Sequence, residues 1–206
     1  MTADAPNLCW TGRDNAAATL VLAHGAGAGM NSPFMEAFAD GLADRGIAIA
    51  RFEFPYMQEM SASGRRRPPN PGKILEQYWR DVIAAVGPCA IGGKSLGGRI
   101  ASLVADDCGV AGLVCLGYPF HPPGKPEKTR TEHLKTLKTP ALICQGVRDP
   151  FGTREDVRSY RLSPAIEIFW LEDGNHSLEP RRASGLTAEF NWNAAMDRIS
   201  TFLKDL

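Results

Sequence analysis

The chain has 206 residues, 44% hydrophobic and 22% charged, and its 23 basic and 23 acidic side chains cancel to a formal net charge of zero. That length suits one well-cored domain rather than two, and the composition is globular rather than disordered. A neutral chain sets up no global field for nucleic acid or an anionic membrane, and no apolar run approaches the ~20 residues that span a bilayer.

Residues 1–10 lack the charged-then-apolar layout of a signal peptide. The five cysteines, at positions 9, 89, 108, 115 and 144, form no C-x-x-C pair, and Cys89, Cys115 and Cys144 sit inside apolar runs. They read as buried thiols of a cytoplasmic protein, not as a disulfide frame or a zinc site.

In chain order, residues 19–23 are an apolar run that predicts a buried strand ending at His24-Gly25. Ser32-Pro33 then opens a helix with Phe34, Phe38 and Leu42 on its apolar face and Gly46 at its close. Residues 47–54 predict a second strand, stopped by Pro55. Residues 73–86 place Ile74, Leu75, Tyr78, Trp79, Val82, Ile83 and Val86 at helical spacing. Residues 89–92 predict a short strand, followed by a glycine-rich turn and a helix carrying Ile100, Leu103 and Val104. Strands are expected at 110–116, 141–145 and 166–171. A final helix bears Trp192, Met196, Ile199, Phe202 and Leu203. Segments 56–72 and 118–140 lack a regular pattern and are expected as loops after strand ends.

Alternating strands and helices, with strands apolar on both faces, predict an α/β fold in one domain over residues 1–206. Its sheet is doubly wound, mostly parallel and of about six to seven strands, with the N-terminal segment as an optional edge. Ligands of such sheets bind at the carboxyl ends of the strands.

Gly93-Lys94-Ser95-Leu96-Gly97 reads G-x-S-x-G between a predicted strand and a predicted helix. A serine on such an elbow needs small neighbours because the turn is strained, and the turn leaves the next N–H at a helix start. Gly93-Lys94-Ser95 is also G-K-S, but a phosphate loop requires glycine at position 88, which is Pro.

An elbow serine needs an acid and then a histidine further along the chain. Of the four histidines, His24 precedes the serine, and His121 and His133 fall before the next strand. His176 follows the strand at 166–171. Asp149 follows the strand at 141–145, whereas Asp156 lies in a charged helical stretch and Asp173 reads as a turn former close to His176. The expected assignment is Ser95 as nucleophile, His176 as base and Asp149 as the acid that orients it. Leu96 N–H and Ala26 N–H are the expected oxyanion donors. The turn at Gly25 nearly reads G-x-G-x-x-G, but Met30 stands where the third glycine belongs, which argues against a dinucleotide. No metal constellation or cofactor is expected.

With these residues in place the chain resembles the α/β-hydrolase superfamily along nearly its whole length. The similarity is to small lidless hydrolases related to the testis-expressed hydrolase-like proteins and, more distantly, to dienelactone hydrolase. The matching segments are LAHGAGAG (22–29), GGKSLGGR (92–99), GYPFHPPGKP (117–126), QGVRDPFGT (145–153) and EDGNHSLEPRR (172–182). The resemblance implies the Ser95, Asp149, His176 triad and leaves the substrate open. Dienelactone hydrolase carries cysteine where this chain has Ser95, so its reaction does not transfer. The first antiparallel strands of the superfamily are reduced to residues 1–17, and the segment after Leu116, where relatives insert a lid, is a short Pro-rich loop.

A shallow, open site for a small acyl ester or thioester is therefore expected, with Gly25, Lys94, Tyr118 and Phe151 as substrate contacts and Phe120 beside them. Arg65, Arg66, Arg67, Lys94, Lys125, Lys128, Arg130, Arg181 and Arg182 on the surrounding loops would suit an anionic substrate. Arg99 is expected to bridge loops. The chain is expected to act as a monomer or homodimer without nucleic-acid or membrane partners. The competing reading is a non-catalytic interaction module that keeps a hydrolase fold; the intact order of serine, acid and histidine favours the enzyme.

Overall fold

A computed structural model describes residues 6–206, so residues 1–5 of the segment read for a signal peptide lie outside it. Seven strands form one sheet: β1 Cys9–Thr11, β2 Ala18–Ala23, β3 Ile47–Phe52, β4 Ala90–Lys94, β5 Leu113–Leu116, β6 Ala141–Gly146 and β7 Ile166–Leu171. Their spatial order is β1-β3-β2-β4-β5-β6-β7; β1 runs antiparallel to β3, and every other neighbouring pair is parallel. The six expected core strands are present, and the N-terminal segment supplies the edge strand. Six α-helices accompany them: α1 Pro33–Ala43, α2 Pro55–Ser63, α3 Gly72–Val86, α4 Leu96–Cys108, α5 Arg154–Arg158 and α6 Ala188–Lys204.

The apolar runs of the strands divide between the two faces at a period of two residues. Leu20 and Leu22 pack with Met35, Phe38 and Leu42 of α1 and with Ala195, Met196 and Ile199 of α6. Val21 and Ala23 point the other way, into a core with Trp79 of α3 and Ile100 and Val104 of α4. Trp79 is fully buried and meets Phe52 edge to face at 4.7 Å between ring centres. Each fully buried side chain of this size contributes roughly 1.5–3 kcal/mol by leaving water. No helix among the described residues is long and apolar enough to cross a membrane. Cys89, Cys115 and Cys144 are buried, and all five cysteines are free thiols.

Three boundaries differ from the sequence reading. Residues 56–72 were expected to be irregular, yet Pro55 occupies the first turn of α2, which Gly64 closes at φ 67°. This helix buries only Tyr56 and Met57, so it carries no apolar stripe, and its signals are its Pro start and Gly stop. Strand β5 begins at Leu113 rather than 110, because Gly109 ends α4 at φ 58° and residues 110–112 make the turn. Strand β4 extends to Lys94, since Gly92 and Gly93 pair with Val114 and Cys115 as ordinary ladder residues.

The long segment after β5 folds back over α4. His133, in a short 3-10 turn, places Nε2 2.8 Å from Ser102 Oγ. Burial, helped by the nearby Arg99 cation, pulls the His133 imidazole down to about 4 from its ordinary 6.5. Between those pH values the unfolded chain takes up a proton that the folded chain refuses. Stability from this group is therefore complete above pH 6.5 and is lost as pH falls towards 4. In His133→Gln, which keeps a polar partner for Ser102, the drop in urea midpoint between neutral and mildly acid pH should be smaller than in the wild type. An equal drop would contradict this assignment.

Candidate active site

Four segments converge at the carboxyl edge of the sheet, where the strand order reverses between β2 and β4. They are the turn after β2, the elbow after β4, and the loops after β6 and β7.

At the elbow Ser95 has φ 50° and ψ −109°, a left-handed conformation that is costly for a residue with a Cβ. It is the N-cap residue of α4 but makes no side-chain cap hydrogen bond. Its hydroxyl is therefore left for other partners. The flanking glycines are required by close approach. A Cβ on Gly93 would stand 2.2 Å from Ala23 O, and one on Gly97 would stand 2.4 Å from the same oxygen.

His176 brings Nε2 to 2.9 Å from Ser95 Oγ and Nδ1 to 2.7 Å from Asp149 Oδ2. Asp149 is fully buried. A hydrogen on Nδ1 donated to this carboxylate leaves Nε2 as acceptor for the serine hydroxyl. Asp149 is itself held: Phe151 N–H donates to Oδ1 at 2.9 Å and Gln145 Nε2 donates to Oδ2 at 2.9 Å. The Phe151 ring packs against the imidazole at 4.3 Å between ring centres. The rival acids are engaged elsewhere. Asp156 closes a capping box with Thr153. Asp173, at φ 51°, accepts from Arg181 and pairs with Arg148 at 2.8 Å. Hydrogen bonding from Arg181 brings the Asp173 carboxyl down to about 2.

The turn after β2 lies opposite. Gly25 and Ala26 line a cleft of about 390 Å³ together with Phe34, Lys94, Ser95 and Phe151. Buried His24 fixes the base of this turn, accepting from Phe54 N–H at 3.1 Å while its Nδ1 lies 2.6 Å from Gly25 O. The Tyr56 hydroxyl is 3.3 Å from both the Gly25 and the Ala26 carbonyl oxygens. Leu96 is the first residue of α4, so its N–H has no partner one turn back. A larger space of about 620 Å³ lies at the opposite edge of the sheet, lined by Thr19, Pro88, Cys89 and Leu203. It contains none of these groups, so the smaller cleft is the candidate site.

Several expected contacts are absent. Tyr118, expected to touch substrate, is fully buried: its N–H donates to Gln145 Oε1 at 2.7 Å and its hydroxyl to Arg130 O at 3.1 Å. Phe120 is likewise core. An aromatic residue just beyond a strand end can turn into either environment, and here the segment folds back over α4 and buries both. Of the nine basic residues expected around the site, only Lys94 lines the cleft; Arg67 pairs with Glu59 at 2.9 Å and Arg181 with Asp173. Sequence reading missed Gln145 and Tyr56. Gln145 looked like one more residue of an apolar strand, and Tyr56 fell in a segment without helical pattern.

A seven-stranded, mostly parallel sheet with an elbow serine at its carboxyl edge defines the α/β-hydrolase fold. The alpha/beta hydrolase domain family matches residues 16–204, and the chain belongs to it. The fold is similar to that of an alpha-beta serine hydrolase homologue from Coxiella burnetii, at 19% identity and TM-score 0.65, covering 96% of this chain and 89% of that one. It is also similar to dienelactone hydrolase from Anabaena variabilis, at 18% identity and TM-score 0.68, covering 92% and 86%. A third similar structure is the monoacylglycerol lipase of Paleococcus ferrophilus, at 15% identity and TM-score 0.68, covering 96% and 99%.

The close approach at Gly97 yields a prediction. In Gly97→Ala the new methyl would lie 2.4 Å from Ala23 O and 2.7 Å from His24 O, so the start of α4 and the end of β2 must part. The variant should lose roughly 2 kcal/mol or more of unfolding free energy in a urea titration. Unchanged stability would show that the elbow is looser than these distances require.

Proposed function

We propose that the chain is a serine hydrolase that cleaves a carboxylic ester or thioester of a small substrate. In this reading Ser95, His176 and Asp149 form a catalytic triad and the reaction passes through an acyl-enzyme. The observation that carries the proposal is the unbroken hydrogen-bonded series from the Ser95 hydroxyl through His176 to buried Asp149, at 2.9 and 2.7 Å.

His176 Nε2 takes the hydroxyl proton as Ser95 Oγ attacks the carbonyl carbon, and Asp149 stabilises the imidazolium that forms. The carbonyl oxygen becomes an oxyanion, for which Leu96 N–H and Ala26 N–H are the proposed donors. Among the described residues, Ala26 N–H is bonded to no other backbone group. The imidazolium then protonates the leaving alcohol or thiol. Water, deprotonated by the same histidine, frees the acid and restores Ser95. Phe151, packed on the imidazole, and Gly25 are proposed to touch substrate. The structurally similar dienelactone hydrolase and monoacylglycerol lipase carry names that fit ester chemistry. Basic Lys94 in the cleft favours an anionic substrate. Five free thiols fit a cytoplasmic location, and a monomer or homodimer is the proposed state.

With p-nitrophenyl butyrate, Ser95→Ala and His176→Ala should each lower kcat by ~10⁴-fold or more, and Asp149→Asn by about 10⁴-fold through the wrong imidazole tautomer. Folded Ser95→Ala retaining wild-type turnover would end this reading.

A further inference from the structure

Lys94 immediately precedes Ser95 and is the only one of the nine basic residues considered above to line the cleft. Its stem runs beneath the turn after β2, so a Cβ on Gly25 would touch Lys94 Cγ at 3.4 Å. Nζ donates one hydrogen to His176 O at 2.5 Å and lies 5.5 Å from the centre of the Phe34 ring. Two of its three hydrogens have no protein acceptor among the described residues. Nor does Lys94 form an ion pair among the described residues: the acids that act on it from a distance are Asp149, committed to His176, Gln145 and Phe151, and Glu179, which accepts from Asn175.

Burial accordingly draws the ammonium down to about 8, against the pull of these two acids, and at neutral pH it remains mostly charged. A cation taken out of water with one carbonyl and one ring face for company is costly. Tethering the His176 loop requires only one donor, which a neutral amide would supply without that cost. The charge is accounted for if a bound anion completes its shell.

We propose that Lys94 binds a carboxylate of the substrate, making the cleft selective for acyl esters or thioesters that carry a carboxylate near the scissile bond. A carboxylate presents two oxygens to the two free hydrogens, and charge-assisted hydrogen bonds of this kind are the strong ones. The proposal rests on the hydrolase reading for its chemistry, which is unchanged. The acyl C–O or C–S bond breaks, and water supplies the hydroxyl of the acid and the proton of the leaving group.

The test compares charged and neutral substrates of matched shape. On the acyl side these are p-nitrophenyl hemisuccinate and p-nitrophenyl isocaproate; on the alcohol side they are p-acetoxybenzoate and its methyl ester. All rates are corrected with Ser95→Ala for spontaneous hydrolysis. The wild type should prefer the charged member of at least one pair by ~10–100-fold in kcat/KM. That ratio should fall towards one in Lys94→Gln and Lys94→Met, chiefly through KM, whatever the absolute rates become. No preference in either pair, or a ratio untouched by both variants, overturns the proposal. If the wild type hydrolyses none of the four, the hydrolase reading fails on its own. Calorimetric titration with glutarate then decides the carboxylate site: binding that is lost in Lys94→Gln supports it, and absence of wild-type binding overturns it. Should neither variant fold, the wild-type ratio and the glutarate titration decide the matter together.

Discussion

At the elbow the backbone at Gly92, Gly93 and Gly97 runs closer to strands β2 and β5 than a side chain would permit. A Cβ on Gly92 would stand 1.9 Å from Val114 O, and those of Gly93 and Gly97 would press on Ala23 O. This contact holds Ser95 at φ 50°. A lone serine would relax from that conformation, at a gain of the order of 1–3 kcal/mol; packed sheet on both sides prevents it. The same approach brings the start of α4 against the end of β2. The turn at Gly25 and the elbow residues Lys94 and Ser95 thereby line one cleft. Fold and site are coupled through these few backbone contacts, and a change that loosens them should disturb both together.

A second layer of order comes from buried hydrogen bonds at the ends of β6 and β7. Gln145, with no exposed surface, ties Tyr118 N–H on one side to Asp149 on the other. The carboxylate thus has fixed donors besides the imidazole, and His176 inherits its orientation from it. Lys94 joins the histidine loop to the elbow from the other side. The three groups of the proposed triad come from three different strand ends. Each is held by a neighbour that belongs to the core, which is how a site built on loops acquires the precision of the sheet beneath it.

The architecture was legible because the central parallel strands are apolar on both faces, and runs such as residues 19–23 and 141–145 could hardly be anything else. The order of serine, acid and histidine could be read because the elbow glycines announce a strand–turn–helix and only one histidine follows the required strand. Helix α2 escaped notice because it buries only Tyr56 and Met57 and so leaves no stripe. Tyr118 was misread for a different reason. A residue one step past a strand end faces the cleft or the core according to how the following loop returns, and loop return is a tertiary fact. The basic residues followed the same logic: exposed loops collect charge for solvation, and position along the chain does not say which way a long side chain turns.

The proposed chemistry depends on activation of Ser95 by His176. Incubation with a fluorophosphonate probe, followed by mass spectrometry of the peptide spanning the elbow, reads that activation. The wild type should give one stoichiometric adduct on Ser95, and His176→Ala none at that serine. An unlabelled serine in the folded wild type, or equal labelling when His176 is removed, would contradict it.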